Sequence, residues 1–294
     1  MLRTIRQMTR PQRVTGKLVR VSPLLALWLA LVGCGEIDPL ASEDMARGAS
    51  SAGTVAASDS VRPGSAAAID TAMRNPRRRA ADRERDERRQ ASAVLEFFGI
   101  QPSMSVLDLY SGGGYYTELL SFVVGDAGRV VAHNNTPYLT FAKDELDDRY
   151  TPDRLTNVER LVAENNELQL PAGTFDAVLM ILAYHDVYYV DEASGWTRID
   201  GPKLLAQIYQ SMKPGGMLGV IDHAAESGAP PETGGTLHRI DPAVLKADIT
   251  AAGFNFEAES NILRNPADDR SRSPFDPALR GRTDRVVFRF RKPW

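Results

Sequence analysis

The chain has 294 residues, of which 43% are hydrophobic and 25% are charged, with a formal net charge of −3 and one cysteine. This composition is typical of a soluble globular protein and excludes a collagen-like or largely disordered chain. The single cysteine excludes an intramolecular disulfide, and the acidic balance leads us to expect no nucleic-acid partner.

The first 33 residues have the pattern of an export signal. Six basic residues and no acidic one precede an apolar run from Val21 to Gly33, which is short for a transmembrane helix. Leu31, Val32 and Gly33 precede Cys34, and this ending resembles the lipobox of bacterial lipoproteins. The resemblance implies cleavage before Cys34, lipidation of Cys34 and a membrane-anchored protein that faces the periplasm or the cell exterior. A plain membrane anchor, or a cleaved signal with an incidental cysteine, is the alternative.

Residues 34–70 are rich in Ala, Ser, Gly and Asp, which predicts a disordered tether between the membrane and a folded domain over residues 71–294. An N-terminal helix is predicted within residues 71–99, with order beginning near Asn75. Its Arg-rich part, residues 77–90, contains interleaved acidic residues. This pattern favours a solvated helix face with intrahelical ion pairs, and an anion-binding or membrane-surface patch is the alternative.

Strand and helix patterns alternate over residues 105–294. Such alternation predicts an α/β fold with a doubly wound, mostly parallel sheet. No helix separates the last two strands, so the last strand is predicted to be antiparallel. Seven strands are predicted, at residues 105–110, 129–134, 158–163, 175–186, 217–223, 254–263 and 284–292. The predicted helices lie at residues 115–125, 138–150, 201–213 and 241–253, and a Pro-Gly-Gly turn at 214–216 closes the third of them.

A run of three glycines follows the first strand. Gly112, Gly113 and Gly114 would let the backbone turn sharply and approach a ligand where a β-carbon would clash. The helix that begins near Tyr115 would present free N–H groups to negative charge. The spacing does not fit a dinucleotide fingerprint, and no lysine follows as in a P-loop. A structural turn that binds no ligand is the alternative.

The stretch resembles motif I of the class I S-adenosylmethionine-dependent methyltransferases. Val106, Leu107, Asp108, Gly112 and Gly114 match the motif, and Tyr110 stands where its first glycine is expected. Two later stretches strengthen the resemblance, "PAGTFDAV" before the fourth strand and "MKPGGMLGVID" at residues 212–222. The whole pattern is similar to a group of bacterial exported proteins predicted to be methyltransferases.

The resemblance implies S-adenosylmethionine as cofactor and assigns residues to its site. Asn134 stands where the family has an acid for the ribose hydroxyls, and Glu164 stands where an acid accepts from the adenine amino group. An amide accepts a weaker hydrogen bond than a carboxylate. The implied cofactor residues are Asp108, Tyr110, Gly112, Gly113, Gly114, Asn134, Glu164 and Asn165.

Three of the four histidines fall just where a predicted strand ends on the ligand side: His133, His185 and His223. In the family, the residues after the fourth strand face the methyl group and the substrate. The candidate catalytic residues are therefore Tyr184, His185, Asp186 and His223, with His185 as a proton acceptor that Asp186 or Asp222 orients. The alternative for each histidine is a core residue that makes one hydrogen bond.

A metal site is a competing interpretation of the same residues. Two histidines and a carboxylate could be drawn from His185, Asp186, Asp222, His223, His238 and Asp241. Their spacing matches no compact metal motif, so no metal is assigned. The connection at 186–200, with Tyr188, Tyr189 and Trp196, could cap the site or could be a surface loop held by its aromatic residues.

The sequence predicts an S-adenosylmethionine-dependent methyltransferase acting on a small-molecule acceptor or an envelope component. An exported protein that binds a nucleoside without catalysis, or a metal-assisted enzyme, is the alternative. The export signal weighs against the enzyme, because S-adenosylmethionine is made in the cytoplasm. The departures at Tyr110 and Asn134 favour the binding protein.

Overall fold

The computed structural model describes residues 63–151 and 153–294. The predicted signal, the lipidation site at Cys34 and most of the tether lie outside the described residues. Within those two ranges, every helix is too short or too polar to cross a membrane.

Seven strands form one sheet in the order β3-β2-β1-β4-β5-β7-β6. The strand β7 runs antiparallel to both of its neighbours, β5 and β6, and the other neighbouring pairs are parallel. The predicted fold, doubly wound with an antiparallel last strand, is confirmed. The strands are β1 Ser105–Leu109, β2 Arg129–Asn134, β3 Val158–Val162, β4 Phe175–Ile181, β5 Met212–His223, β6 Asn255–Ser260 and β7 Arg285–Arg291.

Helices cover both faces of the sheet, so the central strands are buried on both sides. The α-helices are α1 Pro63–Arg74, α2 Ala80–Arg83, α3 Asp86–Arg89, α4 Ala91–Phe98, α5 Tyr115–Val124, α6 Thr136–Arg149, α7 Gly201–Ser211, α8 Thr233–Leu237 and α9 Pro242–Ala251. On one face of the sheet Leu107, Val178 and Leu218 pack under α7 and α9. On the other face Val106 and Ile221 pack under α1, α4 and α5. Three 3-10 turns lie at Asn165–Glu167, Tyr184–Tyr188 and Glu192–Ser194.

The N-terminal region differs from the prediction of a tether to residue 70 followed by one helix. Helix α1 begins at Pro63 and buries Ile69 and Ala72 in the core, so order begins earlier. Gln90 has a left-handed conformation with φ of 44°, which separates α3 from α4. The predicted helix is therefore divided into short pieces.

The Arg-rich segment at 77–90 forms contacts to other elements as well as within itself. Arg79 pairs with Asp148 of α6 at 2.9 Å, and the guanidinium of Arg89 lies 4.5 Å from the centre of the Tyr115 ring. Arg78 pairs with Asp86 inside the segment at 2.6 Å. Eight of the fourteen residues are exposed, so the segment keeps the expected solvated face on one side and covers α5 and α6 with the other.

One ion network beneath this cover is fully buried. Arg149 of α6 contacts Asp82 at 2.8 Å and Glu118 of α5 at 2.5 Å, and all three side chains are at most 1% exposed. Arg154 also pairs with Glu118. Because each buried charge needs its partner, this network fastens the N-terminal segment to α5 and α6.

Strand β5 corrects the prediction of a helix to residue 213 and a free turn at 214–216. Helix α7 ends at Ser211, and β5 already pairs with β4 at Met212. The pairing then resumes at Met217 after an irregularity, and Gly215 has a φ of 72°. The Pro-Gly-Gly sequence is therefore a distortion inside a strand.

Candidate functional site

The direction of chain progression reverses between β1 and β4, and ligands of open α/β sheets bind beyond the carboxyl ends of the strands at this point. All five parallel strands that carry predicted site residues have those ends at one edge of the sheet. The edge has two parts: the ends of β1, β2 and β3, which we call the cofactor edge, and the ends of β4 and β5, which we call the histidine edge.

The loop after β1 turns through left-handed residues. Tyr110, Gly112 and Gly114 have φ of 56°, 55° and 78°, so Tyr110 adopts a conformation that favours glycine, the residue expected there in motif I. Asn134 at the end of β2 holds the loop, since its side chain accepts from Gly112 N at 2.9 Å and donates to Gly112 O at 3.0 Å. The structure thus gives Asn134 a positioning contact rather than a free amide for ribose.

The backbone is covered at two of the three glycines on the side where a β-carbon would point, and their contact with a ligand stays a prediction. A β-carbon at Gly113 would lie 2.1 Å from Glu145 Oε2, and one at Gly114 would lie 2.5 Å from Arg149 Cδ. Side chains of α6 therefore occupy the space beside both residues. A β-carbon at Gly112 would meet nothing within 4 Å, so only Gly112 has open space beside it.

Asp108 lies inside the fold instead of reaching the edge. It is 2% exposed, and its carboxylate accepts a hydrogen bond from the Thr117 hydroxyl of α5 at 2.6 Å. Burial raises its pKa to about 6, although the Thr117 hydrogen bond and the charges of Arg89 and Arg149 oppose the shift. The contact joins β1 to α5 and so fixes the glycine loop between them.

The residues after β3 have separate environments. Glu164 is exposed, and its Oε1 accepts from Thr136 N and Thr136 Oγ1 at 3.2 and 2.7 Å, which caps the N-terminus of α6. Asn165 is buried, and its backbone carbonyl accepts from Gln207 Nε2 at 3.1 Å. The roles of both residues toward adenine remain predictions.

Three buried polar atoms at the cofactor edge have no hydrogen-bond partner among the described residues: Tyr110 OH, Ser111 Oγ and Asn165 Oδ1. Native proteins rarely leave such atoms unsatisfied, because desolvation without a hydrogen bond costs about 1–3 kcal/mol. A polar ligand at this edge would supply the missing partners. Ser111 was not among the predicted binding residues.

Aromatic side chains connect the two parts of the edge. The ring of Tyr138 on α6 lies 5.3 Å from that of Tyr110 and 5.6 Å from that of Trp196. Its hydroxyl donates to Asp186 Oδ2 at 2.8 Å. Tyr138 was not among the predicted site residues. The sequence places it at the start of the helix after the second strand, and that position alone could have indicated a place near the site.

His133 is a core histidine, as its alternative interpretation proposed. Its Nε2 lies 2.9 Å from Ala163 O, and its Nδ1 accepts from Tyr110 N at 3.4 Å. Burial lowers its pKa to about 4, so the ring is neutral at pH 7. It therefore ties together the ends of the first three strands.

At the histidine edge, His185 lies between two carboxylates. Its Nδ1 is 2.7 Å from Asp222 Oδ1, and its Nε2 is 3.3 Å from Asp186 Oδ1. Burial alone would lower the pKa of His185, but Asp222 and Asp186 outweigh it and raise the pKa to about 9. The two carboxylates thus favour the protonated imidazole, and the role of His185 as a proton acceptor stays a prediction.

His223 and His238 flank this pair, with ring centres 5.9 and 5.4 Å from that of His185. His223 is buried, and its Nδ1 lies 2.7 Å from Thr283 Oγ1. Burial, with the positive charges of neighbouring residues, keeps the pKa of His223 well below its usual value. His238 Nδ1 lies 3.7 Å from Asp186 Oδ1. The structure thus brings His185, Asp186 and His223 together as predicted and adds His238.

Tyr184 points away from this cluster. Its hydroxyl donates to Asp248 of α9 at 2.8 Å, and Tyr188 donates to the same oxygen at 2.5 Å. Both rings line a cleft of about 900 Å³ between α7, α8 and α9, with Val187, Ile199 and Leu205 among its apolar residues. The predicted catalytic place of Tyr184 is therefore corrected to the wall of a neighbouring cleft.

Comparisons with known proteins agree with this architecture. Residues 107–220 match the family model described as a methyltransferase domain. The ubiquinone/menaquinone biosynthesis C-methyltransferases UbiE of Hydrogenovibrio crunogenus and of an Enterobacter species are each 32% identical over 130 residues, which are 44% of this chain and 46% of the relative. The chain thus spans about half the length of the curated relatives it matches.

A solved structure extends the likeness of fold. A chain of the complex between the Haloferax volcanii Trm112 methyltransferase activator and a protein designated a methyltransferase has a TM-score of 0.52 and 16% identity. The match covers 78% of this chain and 98% of that one. Residues 107–220 are thus similar to a methyltransferase domain, and the solved structure shows that the chain shares its α/β fold with a methyltransferase.

Proposed function

We propose that the chain is an S-adenosylmethionine-dependent methyltransferase that acts on a small molecule or an envelope component. The observation that carries the proposal is the set of three unsatisfied polar atoms, Tyr110 OH, Ser111 Oγ and Asn165 Oδ1, at the edge where this fold holds its cofactor. The methyltransferase-domain match over residues 107–220 supports the same assignment.

The residues at the cofactor edge suit a molecule with a polar nucleoside and an amino-acid end. Gly112 would admit it close to the backbone, and Ser111 and Asn165 would each form a hydrogen bond to it. The exposed carboxylate of Glu164 could accept from an amino or hydroxyl group. When bound, S-adenosylmethionine supplies a methyl group activated by a sulfonium.

The aromatic residues would stabilise positive charge on the ligand. Tyr110, Tyr138 and Trp196 form a chain of contacting rings beside the loop. Aromatic faces attract cations, and exclusion of water strengthens this attraction. Alignment in a dry pocket is the main requirement of a direct methyl displacement, so these rings would contribute more than a general base would.

The surroundings of His185 restrict the acceptor. Its two ring nitrogens already face Asp222 at 2.7 Å and Asp186 at 3.3 Å, so the acceptor would have to react as the nucleophile it already is, or lose its proton to another group. The relatives in H. crunogenus and Enterobacter are named C-methyltransferases. Attack by a carbon of an electron-rich molecule is compatible with this site, and we propose it as the first acceptor class to test.

We also propose that the protein is anchored by lipid on Cys34 and faces the periplasm or the cell exterior. The basic segment, the apolar run and the lipobox-like ending support this location. Labelled palmitate is expected to enter the wild-type protein but not a Cys34→Ser variant, as measured by gel and autoradiography. Equal labelling of both proteins would overturn the assignment.

Titration calorimetry of the full-length protein with S-adenosylmethionine and its demethylated product tests the function. Binding with Kd of about 10 µM or tighter is expected. Binding of a nucleoside, with no heat of binding for either of these two compounds, would instead support the alternative of an exported binding protein. The filled space beside Gly113 and Gly114 favours that alternative.

Ser111→Ala and Asn165→Ala are each expected to weaken S-adenosylmethionine binding by about 3- to 10-fold, because each removes one hydrogen bond to the ligand. Neither substitution should lower the free energy of unfolding of the ligand-free protein, because Ser111 Oγ and Asn165 Oδ1 have no hydrogen-bond partner among the described residues. Calorimetry and urea unfolding measure the two effects. Ser194→Ala, which removes an exposed hydroxyl bonded to Asp191, should leave the affinity unchanged. A variant that loses stability but not affinity would contradict the assignment.

A further inference from the structure

We propose that His185, Asp186 and His238 form a binding site for one divalent transition-metal ion, with Zn²⁺ as the reference ion. The site lies at the histidine edge, beyond the ends of β4 and β5. It shares none of the three unsatisfied atoms at the cofactor edge, so it can be tested separately from cofactor binding.

The spacing of the three ligand atoms suits a tetrahedral ion. His185 Nε2 and His238 Nδ1 lie 3.3 and 3.7 Å from Asp186 Oδ1, and all three atoms lie within 4.8 Å of one another. Bonds of about 2.0–2.2 Å place the ligands of a tetrahedral Zn²⁺ about 3.3–3.6 Å apart. His185 Nε2 already lies at such a distance from Asp186 Oδ1, and His238 Nδ1 lies just beyond it.

Neighbouring residues orient the ligands in the way that metal sites require. Asp222 lies 2.7 Å from His185 Nδ1, and a hydrogen bond there directs Nε2 toward Asp186 and His238. Tyr138 donates to Asp186 Oδ2 at 2.8 Å, which leaves Oδ1 facing the two rings. A carboxylate behind a ligating histidine and a hydrogen bond on a ligating carboxylate are typical outer contacts of metal centres.

The Nδ1 of His238 faces Asp186 at 3.7 Å, which is too long for a hydrogen bond. This nitrogen is buried and has no hydrogen-bond partner in residues 63–151 and 153–294. The rings of Tyr189 and Phe275 pack at 4.9 and 5.0 Å from the His238 ring and hold it in place. A metal ion between His238 and Asp186 would satisfy this nitrogen.

The end of α8 and its contact with the turn at Tyr184–Tyr188 place His238 beside His185 and Asp186. His238 follows the last residue of α8 in a left-handed conformation with φ of 53°, which turns the chain at the end of the helix. Helix α8 approaches the turn at Tyr184–Tyr188 through two glycines. A β-carbon at Gly234 would lie 2.5 Å from His185 O, and one at Gly235 would lie 2.6 Å from Tyr188 O. Close contact of the two segments is therefore necessary for the cluster to form.

Three protein ligands leave a fourth position on a tetrahedral ion for water or another oxygen ligand. An acceptor that carries a hydroxyl or a carboxylate could bind there beside the cofactor edge. A metal would thus serve to hold the acceptor.

The test uses the full-length protein without a histidine tag, dialysed against a chelator and then titrated with Zn²⁺ alone. We expect one equivalent to bind with Kd of about 1 µM or tighter. Co²⁺ should give the visible spectrum of a four- or five-coordinate ion with nitrogen and oxygen ligands. A strong thiolate charge-transfer band would assign the ion to Cys34 and overturn the proposal.

Variants separate this site from adventitious binding. His238→Ala and Asp186→Asn should each weaken Zn²⁺ binding by at least about 100-fold. His238 is 22% exposed, so its replacement should leave the circular dichroism spectrum unchanged. His223→Asn is the matched control, since His223 lies on the same edge with its Nδ1 against Thr283, and it should bind one equivalent.

Gly234→Ala tests the positioning of α8 and should weaken binding without removing a ligand. Its Co²⁺ complex should also lose the visible spectrum of the wild type. Wild-type affinity in both His238→Ala and Asp186→Asn, or Zn²⁺ binding by the wild type weaker than about 100 µM, would overturn the proposal.

Discussion

Replacing Arg149 by alanine is expected to lower the free energy of unfolding by about 3–5 kcal/mol, because it would leave two buried carboxylates without their main partner. Asp82 and Glu118 are each 1% exposed and contact Arg149 at 2.8 and 2.5 Å. Each carboxylate would keep one other cation, which is Arg154 for Glu118 and the partly exposed Arg85 for Asp82. The loss should be smaller at pH 5 than at pH 8, since carboxyl groups stranded in the interior take up protons more readily.

Urea unfolding monitored by circular dichroism measures this loss. Lys143→Ala is the matched control, because it removes an exposed helical ion pair with Asp147 and should cost less than about 0.5 kcal/mol. The triple variant Arg149→Met, Asp82→Asn, Glu118→Gln should recover much of the stability, because it removes the stranded charges. A single Arg149→Ala variant as stable as the control would show that the network contributes nothing.

The same substitution should affect the cofactor edge. Arg149 Nε donates to the carbonyl oxygen of Gly113, and the Arg149 side chain fills the space beside Gly114. The buried network therefore holds the glycine loop in its shape from behind. The stability of the N-terminal segment and the geometry of the loop are two consequences of one set of contacts.

The architecture was largely predictable because its signals are local. The apolar run at 175–186 identified a central strand, although β4 ends at Ile181, and the absence of a helix between β6 and β7 predicted their antiparallel pairing. The division of the N-terminal helix was not predictable in the same way. It depends on a left-handed Gln90 and on ion pairs to α6, which are more than 50 residues away in sequence.

The site was predictable in its place and only partly in its contacts. Strand ends located His185 and Asp186 at the correct edge, because parallel strands share the side of the sheet at which they end. The hydrogen bond from Tyr138 to Asp186 and the filling of space beside Gly113 by Glu145 depend on how α6 packs on the sheet. No spacing rule in the sequence reports that packing.

Asp108→Asn is expected to show a pH-dependent gain of stability relative to the wild type. The pKa of Asp108 is raised from 3.8 to about 6 in the folded chain. Between these pH values Asp108 loses its proton in the unfolded chain before it does so in the folded chain. The contribution of Asp108 to the free energy of unfolding of the wild type therefore falls as pH rises and levels off above about pH 6. A shift of about 2 units corresponds to about 3 kcal/mol. Asparagine has no charge to bury, and its amide oxygen can still accept from Thr117.

The measurement is the difference in free energy of unfolding between variant and wild type, from urea unfolding at several pH values. The free energy of unfolding of the variant minus that of the wild type should rise by about 2–3 kcal/mol as the pH is raised from 4 to 7.5. Subtraction cancels the titration of groups common to both proteins. Asp269→Asn serves as control, because hydrogen bonds from Ser271 lower the pKa of this exposed carboxyl, and the variant should show no such rise. A constant difference for Asp108→Asn would mean that the carboxylate is already ionised in the folded protein at low pH, and its burial beside the glycine loop would then impose no cost on the fold.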